Sequence, residues 1–180
     1  MALRTPVARE KFSAFTLVEL LLVVGVIAIL SAIMLTIGSS AVEKGREVRA
    51  RAELAALSAG LESYRRAYGD YPRGEGADLL LQSLIGKRGP TGAELRGPAF
   101  IDAAHFTIEG DRDPFVDATA RTLDPWGEAY RYEYRSSGAW IRPDVALFSA
   151  GRDQRSAALH ATGFYDEGAA ENRDDIYADR

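Results

Sequence analysis

Glu19 makes the strongest chemical demand in this sequence, because its carboxylate lies at the start of a long apolar run. From Phe15 to Ile37 nearly every side chain is apolar, among them Leu17, Val18, Leu20, Leu21, Val23, Val26, Ile29 and Leu30. An ionised carboxylate in hydrocarbon is costly unless a positive group pairs with it, so Glu19 calls for a partner. A second set of candidates lies near the C-terminus, where Asp153, Asp166, Glu167, Glu171, Asp174, Asp175 and Asp179 fall in a Gly- and Ala-containing segment. Calcium takes its oxygen ligands from carboxylates and carbonyls on such loops. A merely solvated acidic tail is the competing reading. Enzymatic chemistry finds little support. His105 and His160 are the two histidines, neither at metal-ligand spacing from another ligand, and Ser156 near His160 has no nucleophile motif around it. With no cysteine, a disulfide framework and a thiolate metal site are both excluded. The net charge of −4 and the lack of a basic cluster interleaved with aromatics argue against a nucleic-acid face.

Elements must position these groups, and the first is a helix. Residues 15–37 would span about 34 Å as a helix, against about 30 Å for a bilayer core. Arg4, Arg9 and Lys11 precede it, which keeps the N-terminus cytoplasmic and sends the rest across. A secretory signal peptide is a poor alternative, because its apolar core is only about 7–15 residues long. Gly25, Ala28, Ser31 and Ala32 would let neighbouring helices approach closely. Helix-favouring residues continue to Tyr68, with Leu54, Leu57, Leu61, Tyr64 and Tyr68 on one stripe and charged residues filling the rest. Gly69 and Pro72 end it.

The remainder predicts one modest domain. Residues 77–85 read as a short helix with Asp78 in or before its first turn. Residues 86–98 read as loop, and Phe106–Thr107–Ile108 as a possible short strand. Leu123–Asp124–Pro125–Trp126–Gly127 reads as a turn carrying a core Trp. Residues 129–135 alternate like a half-buried strand, and residues 145–149 form a second strand closed by Ala150–Gly151. Helix first and antiparallel strands after is an α+β arrangement: a long N-terminal helix packed on a small antiparallel sheet, with a C-terminal loop region.

The residues Phe15–Thr16–Leu17–Val18–Glu19, followed by Leu-Leu-Leu-Val-Val, resemble the type IV pilin and pseudopilin superfamily. Gly69, Tyr71 and Pro72, the Asp-Pro-Trp-Gly of 124–127, Phe148–Ser149–Ala150–Gly151–Arg152–Asp153 and Asp174–Asp175–Ile176 are most similar to its major type II secretion pseudopilin branch. The stretch from Gly86 to Arg121 falls outside these motifs and is longer than the family needs; a specialised surface could lie there.

The resemblance implies the following. Residues 1–14 are a leader cut by a prepilin peptidase between Ala14 and Phe15, where the family usually has Gly before the cut. Phe15 becomes an N-methylated terminus. Residues 15–37 are a transmembrane and assembly helix, 38–71 its periplasmic half, and 72–180 the globular domain. Cutting before Phe15 places an amine four residues from Glu19 on one helical face, where it can pair with its own chain or a neighbour's. The resemblance implies the neighbour, with Glu19 setting the step of a filament. It also implies a calcium ion at Asp153 and Asp175, with Asp174 the adjacent alternative. Implied partners are further copies of the chain, minor pseudopilins, the peptidase, an inner-membrane assembly platform and membrane lipid. The expected location is a bacterial inner membrane, single pass, with the domain in the periplasm. The competing functions are an adhesive type IV or DNA-uptake pilin, and a periplasmic enzyme or binding protein on an uncleaved anchor.

Overall fold

The computed structural model describes residues 16–134, 145–160, 163, 165–166 and 168–178, apart from the side chains of 33–39. The chain divides into two compact units, Met1–Val42 and Glu43–Arg180. Helix α1 (Leu17–Tyr68) contributes to each.

Within the first unit, the helix leaves its large apolar side chains bare. Leu17 is 76% exposed, Val18 73% and even Val23 45%. Among the described residues of this unit, nothing covers them. Among the described residues, no helix is long and apolar enough to cross a membrane. The membrane span expected over 15–37 is therefore not shown. Phe15 and the side chains of 33–39 lie outside the described residues, and the apolar stretch left at residues 17–32 is about 24 Å long as a helix.

The second unit is α+β. Its core forms where Ala50, Leu54, Leu57, Leu61 and Tyr64, spaced three and four apart on α1, meet Leu80 and Leu84 of α2 (Ala77–Leu84) and Tyr130, Tyr132, Leu147 and Ile176. The expected stripe is thus buried, with Tyr68 half-buried at its end against Phe100. Gly69, at φ 83°, ends α1 in a left-handed conformation that a Cβ would oppose. Its N–H returns to the carbonyl of Arg65. In α2, Gly76 is the N-cap residue and makes no side-chain cap bond, so Asp78 serves in the first turn and not as the cap.

There are two small antiparallel sheets among the described residues, where the sequence led to one. β1 (Thr107–Ile108) pairs with β2 (Thr122–Leu123). β3 (Arg131–Tyr134), β4 (Val145–Ser149) and β5 (Ile176–Tyr177) lie in that order, with Tyr132 opposite Leu147 and Phe148 opposite Tyr177. Tyr132, Leu147 and Ile176 face the core with α1, while Ala146 and Phe148 pack on Tyr165 across the other face. Covered on both sides, β4 is almost continuously buried and loses the polar alternation of a half-exposed strand.

Candidate functional site

The N-terminal end of α1 is built around Glu19. The Thr16 hydroxyl accepts the Glu19 N–H at 3.2 Å and donates to Glu19 Oε2 at 3.4 Å. Thr-x-x-Glu is a capping-box spacing, so the two residues together occupy the first helical turn, whose free N–H groups favour negative charge. The carboxylate therefore helps to start the helix, a role beyond the filament latch expected of it. Ala14 and Phe15, the expected cleavage and methylation residues, lie outside the described residues, as does the leader.

The second candidate is the C-terminal carboxylate loop. Gly151 turns the chain at φ 66°, and a Cβ there would strike the carbonyl and carboxylate of Asp174, so this close approach requires glycine. Beyond the turn, the Asp153 N–H donates to Asp174 Oδ2 at 2.8 Å, and Asp153 Oδ1 accepts the Arg155 N–H at 2.8 Å. Asp175 Oδ2 accepts the Tyr177 hydroxyl at 3.1 Å. Asp175 Oδ1 is buried and has no hydrogen-bond partner among the described residues. Burial raises the Asp175 pKa, opposed by the Tyr177 hydrogen bond and reinforced by the charges of Asp174 and Asp153, to about 6. The expected trio thus comes into one neighbourhood. Among the described residues, however, no group of three or more carboxylate or imidazole side chains could hold a metal ion. A cation here would rely on no more than two of these carboxylates, with backbone oxygens completing its shell.

Asn172 organises the same loop: its side chain donates to the Asp166 carbonyl at 2.8 Å and accepts the Ala157 N–H at 2.6 Å. Arg155 pairs with Glu171 at 2.7 Å. The sequence reading passed over Asn172; its one signal was a lone amide side chain among acidic residues. His160 lies 4.0 Å from Asp166 on an exposed surface, and Ser156 is half-buried with no bond to it.

Two further carboxylates hold the domain to α1 and to itself. Glu53, on the helix and 8% exposed, accepts the Tyr130 hydroxyl at 2.6 Å and Arg49 Nε at 2.7 Å. Burial raises the Tyr130 hydroxyl pKa, with Glu53 adding to the effect, so the phenol stays a donor. Asp124, of the Asp-Pro-Trp-Gly turn, accepts the Ser149 hydroxyl at 2.5 Å and the N–H groups of Trp126 and Glu128, each at 3.0 Å. The motif is thus the structural turn expected. Its Trp is half-buried at the core margin, with Nε1 donating to Glu43 at 2.6 Å.

An α-helix that bares an apolar surface at one end and seeds an α+β core at the other defines a subunit of the pilin-like class. The chain matches the family described as type II secretion system (T2SS), protein G, over residues 39–162. It belongs to that family and is a pseudopilin subunit of type II secretion. The family is structural rather than catalytic, assembles with other secretion components in a pseudopilus, and places the chain in a periplasmic filament. No curated protein matches the chain.

Proposed function

We propose that this pseudopilin is stored in the inner membrane as a single-pass protein and polymerises through α1 once its leader is removed. The observation that carries this reading is the uncovered apolar surface of residues 17–32, with Glu19 as the one acid along it. Such a surface needs lipid before assembly and neighbouring helices after it. Prepilin peptidase cuts between Ala14 and Phe15, Phe15 is N-methylated, and its amine pairs with Glu19 of an adjacent copy. A buried ion pair of this kind sets register more than it adds stability. The repeated contact is heterologous and does not close, so it grows a filament. Minor pseudopilins and the inner-membrane assembly platform are the proposed partners of that growth.

Glu19→Val tests this reading. The variant is expected to be cleaved, to remain with the membrane fraction and to yield no filaments by electron microscopy. Normal filaments from it, or an isolated chain that still begins at Met1, would overturn the proposal.

Calcium is the proposed ion of the C-terminal loop, held by Asp153 and Asp175, with Asp174 the neighbouring alternative to Asp175. The support is the orphaned Asp175 Oδ1 together with the hard oxygen character of the set. When bound, calcium would supply the positive charge that offsets these crowded carboxylates. This chain's own part is to hold Asp174 against the Gly151 turn and Asp175 beside Tyr177. Chelation with EGTA is expected to lower the thermal midpoint of the wild-type chain and leave that of Asp175→Asn unchanged. A wild-type midpoint insensitive to EGTA would remove calcium from the description.

A further inference from the structure

The segment from Gly86 to Arg121, which lies between the family's motifs, builds a cleft of about 610 Å³. One wall is the loop 86–97, which doubles back on itself: the Leu95 N–H reaches the Lys87 carbonyl at 3.0 Å and the Gly97 N–H reaches that of Gly86 at 2.8 Å. Gly86, at φ 81°, allows this return, since a Cβ would lie 2.6 Å from the Pro98 carbonyl. The other wall is Phe115 and Ala118, from and just after the turn 113–117. Buried Gln82 supports it from beneath, its Nε2 donating to the Pro114 carbonyl at 2.9 Å and that of Asp117 at 3.3 Å. Lys87 Nζ adds a bond to the Phe115 carbonyl at 2.7 Å. The turn is therefore fixed, yet it presents Phe115 at 59% and Val116 at 82% exposure, the two exposed large apolar side chains described outside α1.

The charge in the cleft is as distinctive as its rim. Arg88 and Arg96 line it, and neither guanidinium has a hydrogen bond or an ion pair among the described residues. Lys87 lies with them, and Glu94 is the one acid on the lining. Most other arginines of the domain have partners: Arg49 with Glu53, Arg65 with Glu62, Arg73 with Asp70 and Arg121 with Glu109. A chain of net charge −4 thus gathers unpartnered positive charge in one concave site, where walls of low dielectric strengthen its pull on anions. The volume lies within the usual range for ligand clefts. Planar guanidinium groups suit carboxylates, which they bind through paired hydrogen bonds.

We propose that this cleft is a docking site for an acidic peptide segment of a partner protein, whose carboxylates meet Arg88 and Arg96 while an adjoining apolar side chain rests on Phe115 and Val116. Charge complementarity selects the occupant, and the fixed apolar rim favours a peptide over a bare anion. None of the residues that line it belongs to α1, the helix through which the filament is proposed to grow.

The test is fluorescence anisotropy on the full-length chain in dodecylmaltoside micelles. The probe is fluorescein-labelled Asp-Glu-Phe-Asp-Leu-Glu, compared with its uncharged counterpart Asn-Gln-Phe-Asn-Leu-Gln. The acidic peptide is expected to bind saturably and at least about tenfold more tightly than the amide peptide, with the difference shrinking as salt rises. The double variant Arg88→Gln/Arg96→Gln is expected to lose about tenfold, and Phe115→Ser to weaken binding with its circular dichroism unchanged. Equal binding of both peptides, or full retention by both variants, would overturn the proposal. So would displacement of the peptide by inorganic phosphate more effectively than by chloride at matched ionic strength, since the cleft would then be an anion site without peptide character. Filament formation by the double variant, followed by electron microscopy, is expected to be normal; its loss would place these arginines in assembly and overturn their role in docking.

Discussion

Replacing Asp124 with alanine takes one acceptor from three donors at once: the Ser149 hydroxyl, and the N–H groups of Trp126 and Glu128. The side chain is 2% exposed, so water does not readily substitute for it. Hydrogen bonds to charged groups contribute about 1.5–3 kcal/mol and ordinary ones about 1 kcal/mol. Taking the 2.5 Å Ser149 bond at about 2 kcal/mol and each backbone bond at about 1 gives a loss of about 4 kcal/mol. For a domain of this size that lowers the thermal midpoint by about 8–16 °C. Asp124→Asn makes the informative comparison. Its Oδ1 still accepts both backbone N–H groups, and the Ser149 hydroxyl can turn to accept from Nδ2, so about 1 kcal/mol is lost. Both variants can be followed by thermal and urea unfolding of the full-length chain, monitored by near-ultraviolet circular dichroism. A cost below about 1 kcal/mol for alanine, or asparagine damaging the fold as much as alanine does, would show that Asp124 is not the shared acceptor described.

Two more outcomes follow from the packing and the charges. Leu57→Ala, at a position with no exposed surface on the core face of α1, is expected to cost about 2–5 kcal/mol in urea unfolding, and a loss below about 1 would mean the helix is not seated on the sheet as described. Glu133 has its pKa raised by burial and by Glu75 beside it, with Arg131 opposing. The folded chain therefore holds this proton more tightly than the unfolded chain, and the stability the group contributes is lost as pH rises through the raised value. Glu133→Gln is expected to raise the thermal midpoint at pH 7 and to give no gain below pH 4.5, the ordinary value for this group. An unchanged midpoint at pH 7 would show the Glu75–Glu133 pair to be fully solvated.

The helical stripe and β4 were legible because their signals are local. Leu54, Leu57, Leu61 and Tyr64 recur at helical spacing, and residues 145–149 form an apolar run between breaks. β3 was legible to within two residues at its start, its alternating tyrosines pointing inward at Tyr130 and Tyr132. β5 was not, because two residues give no period to read; Ile176–Tyr177 becomes a strand through pairing with Phe148 and Ser149, about thirty residues earlier. Separation in sequence also hid Glu53–Tyr130, 77 residues apart, and Asp124–Ser149, 25 apart, where a carboxylate reads as surface charge until the fold supplies its donor. At the acidic loop, composition led to the right neighbourhood. Only geometry separates the Asp174 carboxylate, already bonded to the Asp153 N–H, from the orphaned oxygen of Asp175.

Because the outermost rung of the three-stranded sheet comes from Ile176–Tyr177, the sheet is completed by a segment that follows its central strand by about thirty residues. Until those residues arrive, one margin of Val145–Ser149 stays unzipped, with its amides and carbonyls open to any passing strand. A copy truncated before Ile176 would expose that edge.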